Sequence, residues 1–219
     1  MDAKAPWNLS GRGFILMYRF PQEFIRESCF LPDEWKDLKW SGLGYVMLVD
    51  YEDSPVGPYH ELLFIPGKTR LGGSKLGTIT KIYVDSIDSM VNGRNNWGIP
   101  KELTDFKWTQ EGRQHLIQVG SLMPWLEIVL EPGSIPFPID TRFLPIHLQQ
   151  ELDNQKFRVS PSGKGTGHFT LIKGITVDPL FFPGIDILEP LVTIYADPFR
   201  MTFPVAEIEP KNGLNLTPS

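Results

Sequence analysis

Apolar residues in this chain come in short runs, and the runs alternate with polar residues or are closed off by glycine and proline. Period-two alternation and compact apolar runs of four to eight residues point to strands. Residues 13–19, 44–51, 59–66 and 78–84 read this way, the second and third as buried strands. Beyond position 105 the pattern is almost wholly β, with expected strands at 105–108, 115–119, 125–130, 141–147, 156–159, 168–177 and 191–195. Short links such as Gln110-Glu111-Gly112 imply antiparallel hairpins.

Helical spacing occurs twice. Phe24, Ile25, Cys29 and Phe30 follow Pro21 at near-helical intervals, and Pro32 ends that pattern. A second short helix through Ile87, Met90 and Val91 has Asp85 or Ser86 to cap it, and Gly93 is placed to end it as a C′ glycine. The expected fold is one β-rich α+β domain over residues 1–219, with two short helices and a mostly antiparallel sheet large enough to curl into a barrel. Residues 204–219, polar and carrying Pro and Gly, read as a surface tail.

Composition narrows the function classes. The net charge is -5 with no basic block, which argues against a nucleic-acid partner. No apolar run approaches the ~18 residues of a membrane span, and the first nine residues lack a signal-peptide pattern, so a cytoplasmic protein without a membrane partner is expected. Cys29 is the single cysteine, which excludes an intrachain disulfide. The four histidines lack metal-ligand spacing, and no metal or cofactor is expected. His60-Glu61 opens like a zinc-protease helix, but Phe64 stands where the second histidine belongs and the segment reads as a strand. Residues 163–168, Gly-Lys-Gly-Thr-Gly-His, miss the phosphate-loop spacing and read as a hairpin loop, with a mobile lid as the alternative.

The stretch that carries chemistry is Asn92 to Leu103. Its Gly98-Ile99-Pro100 lead-in is a rigid mount for Lys101, and Trp97 and Ile99 supply apolar neighbours. Desolvation favours the neutral amine, the nucleophilic form. On the strand at 59–66, Tyr59 and Glu61 share a face, and Glu61 has apolar neighbours on whichever side it lies.

The run Gly93-Arg94-x-x-Trp97-Gly98-x-Pro100-Lys101 resembles the lysine segment of the acetoacetate decarboxylase-like family, as does the upstream Pro58-Tyr59-x-Glu61. The likeness extends more weakly to Arg12 and covers about the first half of the chain. It implies a β-rich fold around a closed, cone-like barrel, often assembled into oligomers, so a homo-oligomer is expected. It also implies a lysine that forms a Schiff base with an oxo substrate and turns the imine into an electron sink. By position Lys101 matches that lysine, Glu61 a pocket carboxylate, and Arg12 an arginine near it; Tyr59 belongs to the same pocket. Arg94 either binds substrate or holds carbonyls in the turn, and Trp97 either walls the pocket or packs.

Two departures bear on the substrate. The family's decarboxylases carry a second lysine where this chain has Glu102, whose charge would favour the ammonium form of Lys101 if the side chains met. They also have a further carboxylate on the strand before Glu61, where this chain has Tyr45-Val46-Met47-Leu48-Val49. The expected activity is a lyase acting on a β-keto acid larger or more apolar than acetoacetate, most simply by decarboxylation. The alternatives are a Schiff-base aldolase–dehydratase, or a binding pocket for non-covalent cyclisation or isomerisation.

Overall fold

The computed structural model describes residues 2–71, 75–143 and 145–211. In chain order the elements are β1 (Trp7–Tyr18), α1 (Gln22–Ser28), β2 (Gly44–Asp53), β3 (Tyr59–Ile65), β4 (Lys68–Arg70), β5 (Lys75–Gly77), β6 (Lys81–Val84), α2 (Ile87–Trp97) and β7 (Glu102–Leu103). There follow β8 (Phe106–Glu111), β9 (Gln114–Val119), β10 (Leu126–Asp140), β11 (Leu148–Leu152), β12 (Gln155–Val159), β13 (Ser162–Val177), β14 (Val192–Phe203) and β15 (Glu207–Pro210).

A ten-stranded sheet runs β7-β6-β3-β2-β1-β14-β13-β10-β9-β8, and a five-stranded sheet runs β15-β12-β11-β5-β4. The large sheet curls into a half-barrel. Edge strand β8 folds back over the middle, so Trp108 stacks on Phe14 at 5.8 Å and Phe106 on His60 at 5.8 Å. The α+β, β-rich fold expected from the hydrophobic pattern is therefore the one observed.

Alternation along the strands splits the large sheet into two apolar faces. Phe14, Leu16, Leu48, Leu62, Phe64 and Ile128 point into the half-barrel. Trp7, Leu9, Val49, Tyr51, Tyr59 and Leu63 point the other way, against α2 and the small sheet, where they meet Trp97, Ile99, Leu148 and Phe157. The site lies on this second face.

Four local expectations change. Helix α2 does not stop at Gly93 but continues to Trp97, and Gly98 closes it in the left-handed conformation at φ 62°. Ser86 caps it by accepting from the Ser89 amide, while Asp85 is engaged by His60. Residues 141–143 form a turn, not a strand, because β10 runs straight through to Asp140. The glycine-rich 163–168 segment is neither loop nor lid. It lies inside β13, where glycine lets neighbouring chains approach: a Cβ at Gly165 would sit 2.5 Å from the Pro198 carbonyl oxygen, and one at Gly167 2.8 Å from Phe137. Within the expected tail, Glu207–Pro210 adds an exposed edge strand to β12; residues 212–219 lie outside the described residues.

Candidate active site

Lys101 follows directly from the way α2 ends. Gly98 turns the chain, Ile99 and Pro100 carry it back along the helix, and Glu102 begins the short strand β7 beside β6. Arg94, one turn before the cap, donates from Nε and Nη2 to the Lys101 carbonyl at 3.0 and 2.7 Å. Its guanidinium fork thus clamps the lysine backbone. Of the two roles open to Arg94, the geometry shows the carbonyl-holding one.

The lysine side chain then runs back over Gly93. A Cβ there would lie 2.8 Å from Lys101 Cδ and 2.9 Å from Cε. Gly93 is therefore a helix-interior glycine that leaves room for another side chain. A glycine there costs about 1 kcal/mol of helix propensity relative to alanine.

Lys101 and Glu61 are both buried, at 3% and 5% exposure. Lys101 Nζ lies 2.8 Å from Glu61 Oε2 and donates to Ser89 Oγ at 2.9 Å. The Tyr59 ring centroid is 5.0 Å from the same nitrogen. Glu61 Oε1 accepts from the Tyr51 hydroxyl at 3.3 Å, so both carboxylate oxygens are engaged. Burial first, then the charge on Glu61, pushes the Tyr51 and Tyr59 phenols well above their ordinary range, which keeps both protonated.

Glu102 does not reach this group. Successive residues of an extended chain point to opposite sides, and the Glu102 carboxylate pairs instead with Lys81 Nζ at 2.7 Å. The anion that meets Lys101 is Glu61, from a strand forty residues earlier.

Above the pair opens a cavity of about 320 Å³, at the low end of the usual range for small-molecule sites. Met17, Met47, Ile82, Trp97, Ile99 and Phe203 are among its apolar walls; Tyr51, Tyr59, Glu61 and Lys101 line it too. Trp97 serves in both capacities considered for it. It lines the cavity, and its indole donates to the Pro204 carbonyl at 2.7 Å while packing edge-on to Trp7 and Phe203.

Arg12 lies elsewhere. Gly13 lines the cavity, and Arg12 beside it projects to the other face of β1. There its Nε binds Asp50 Oδ2 at 3.0 Å, beside His60 and Gln110. Ser89 and Tyr51 had not been singled out. Ser89 lies four residues before Gly93, on the same helix face, which is the signal that could have found it. Tyr51 sits directly across the β2–β3 ladder from Tyr59.

The sequence profile of the family described as acetoacetate decarboxylase (ADC) matches residues 2–121, more than half of the chain, and this span holds the whole Lys101 cluster. This chain belongs to the acetoacetate decarboxylase family. Protein NEOXANTHIN-DEFICIENT 1 of Solanum lycopersicum is 29% identical over 105 residues, covering 47% of this chain and 35% of that protein; the chain thus matches about a third of that plant relative's length. A solved structure of acetoacetate decarboxylase is similar with TM-score 0.69 at 14% identity, covering 95% of this chain and 91% of that one. The enduracididine biosynthesis enzyme MppR, in complex with the condensation product of pyruvate and imidazole 4-carboxaldehyde, is similar with TM-score 0.63 at 14% identity, covering 96% and 92%. At these identities the solved structures share the fold. Among the described residues no helix is long and apolar enough to cross a membrane, and no group of three or more His, Cys, Asp or Glu is placed to hold a metal ion.

Proposed function

We propose that the chain is a carbon–carbon lyase that binds an oxo compound covalently through Lys101, and that its substrate is a β-keto acid larger or more apolar than acetoacetate. The observation that carries this reading is the buried Lys101–Glu61 pair at the wall of an apolar cavity.

Lys101 releases one proton to solvent, the neutral amine attacks the substrate carbonyl to form the C–N bond, and the carbonyl oxygen takes a proton from solvent to become the carbinolamine hydroxyl. Glu61, within hydrogen-bond reach of the nitrogen, takes one of its protons and passes it to the carbinolamine hydroxyl, which leaves as water. The resulting iminium draws electrons from the bond to the carboxylate. That bond breaks, carbon dioxide departs, and the electron pair enters the enamine. Protonation at carbon from water regenerates the iminium, and hydrolysis releases the ketone and the lysine. The apolar walls of Trp97, Ile99 and Ile82 favour the step, because a localised carboxylate charge is lost in a weakly solvating environment.

Incubation with a panel of β-keto acids and borohydride tests the reading. The expected result is a mass increment on the peptide holding Lys101, absent in Lys101→Ala. A panel that leaves Lys101 unmodified sinks it. A second reading draws on the condensation product of pyruvate and imidazole 4-carboxaldehyde held by MppR: the same iminium would support aldol addition and dehydration, and condensation of pyruvate with an aldehyde in place of carbon dioxide release would select it.

A further inference from the structure

Among the described residues the Lys101 nitrogen has two polar partners, and only Glu61 enters the chemistry above. The other, Ser89, is fully buried and is not among the residues lining the cavity. It stands behind the amine, in the first turn of α2, where its own amide is already held by Ser86 Oγ at 3.2 Å. Its hydroxyl also meets Tyr59, where hydrogen bonding works against the upward push that burial and Glu61 exert on the phenol. A hydroxyl has one hydrogen and two lone pairs. Ser89 Oγ meets Lys101 as an acceptor, taking an N–H of the amine at 2.9 Å.

We propose that Ser89 is a positioning residue that accepts the one N–H Lys101 retains through every covalent state and so fixes the plane of the iminium. The proposal rests on the Schiff-base reading of Lys101. The ammonium has three N–H groups, of which one lies toward Glu61 and one toward Ser89; transfer of the third to solvent leaves the lone pair in the remaining tetrahedral direction. Attack on the carbonyl carbon gives a cationic nitrogen with the same two N–H groups and an alkoxide, which takes the third proton back from solvent to become a hydroxyl. Glu61 removes the one it holds and delivers that proton to the hydroxyl that departs as water. A single N–H remains on the iminium, and it is the one bonded to Ser89 Oγ. An iminium is planar, so the direction of its N–H sets the plane of the C=N group. The bond that breaks must stand perpendicular to that plane to feed electrons into it. Ser89 thereby selects which substituent is cleaved and which face of the C=N group is exposed to the cavity.

The test uses the full chain and a prochiral ketone trapped with borohydride, because reduction of its imine creates a stereocentre. Wild-type protein should give one diastereomer of the Lys101 adduct in clear excess. Ser89→Ala should fold, bind a neutral apolar fluorophore such as Nile red as before, form adduct about ten times more slowly, and yield the two diastereomers in near-equal amounts. Ser89→Cys keeps the volume with a much weaker acceptor and carries the same expectation if Ser89→Ala does not fold. A wild-type adduct with unchanged rate and diastereomer ratio in the variants overturns the role of Ser89 alone. Absence of any wild-type adduct overturns the Schiff-base reading and this inference together.

Discussion

Lys101 Nζ lies 2.8 Å from Glu61 Oε2, and both side chains are removed from water. Breaking a buried ion pair by deleting one partner typically costs about 3–5 kcal/mol, because the remaining charge is stranded, whereas replacing both by apolar groups is often near neutral. Lys101→Ala and Glu61→Ala are therefore each expected to lower stability by about that amount. The double variant Lys101→Met/Glu61→Leu should recover most of it while forming no adduct. Urea denaturation of the three variants checks this, and a double variant no more stable than the singles contradicts it.

Gly93 predicts a separation of activity from stability. Alanine there gains about 1 kcal/mol of helix propensity, but its Cβ would enter the space of Lys101 Cδ and Cε. Gly93→Ala is expected to fold with near wild-type stability and to trap substrate at least about tenfold more slowly, since small displacements of a reacting group are costly in rate. Paired melting curves and trapping rates provide the readout.

Arg94 predicts a graded loss. The two hydrogen bonds to the Lys101 carbonyl need a planar fork, which lysine lacks. Arg94→Lys should cost about 1 kcal/mol of stability and slow trapping, with affinity for a neutral apolar probe unchanged. Arg12→Ala, on the other face, should leave both trapping and probe binding as in wild type.

Two histidines contribute to the pH dependence of stability with opposite signs. His115 is buried against Phe14 and accepts from the Trp108 indole at 3.1 Å. Burial first, then the charge of Arg12, pushes its imidazole down to about 4. The folded state thus takes up a proton less readily than the unfolded one, so stability falls between the ordinary value of about 6.5 and about 4, by up to about 3 kcal/mol. For His60, burial acts downward but is outweighed by the hydrogen bond and charge of Asp85, with Asp50 adding to them, and the net shift is upward. Its contribution is fully present below about 6.5 and is lost as pH rises through the raised value. Urea midpoints should peak near about pH 6.5. His115→Gln should flatten the acid side and His60→Gln the alkaline side.

Much of this arrangement is legible in the chain, and the failures share one cause. Strand alternation correctly places Tyr59 and Glu61 on one face, and the chain after the Gly98-Ile99-Pro100 mount carries Lys101 to Glu61 at the cavity wall. Gly93 misleads because glycine has two uses, a left-handed turn and an absent side chain, and only the partner's position distinguishes them. Gly163, Gly165 and Gly167 mislead in the same way, reading as a loop where the tertiary fold needs bare backbone between β10 and β14. Arg12 sits beside cavity-lining Gly13, yet one position along a strand reverses its face. Ser89 carries only the weak signal of sharing a helix face with Gly93, because its role depends on a side chain returning from twelve residues later.

The outward turn of Glu102 has a consequence for how this protein can change. Lys101 and Glu102 occupy opposite sides of the chain by parity alone, one sealed inside and one tied to Lys81 at the rim. Deleting a single residue between Gly98 and Lys101 would exchange their places, bringing a carboxylate to face Glu61 and turning the amine out to solvent. Substitutions in the cavity walls would therefore retune what enters without touching the Lys101–Glu61 pair. A change of length in the mount would remove it in one step, so this three-residue link should tolerate altered side chains far better than an altered count.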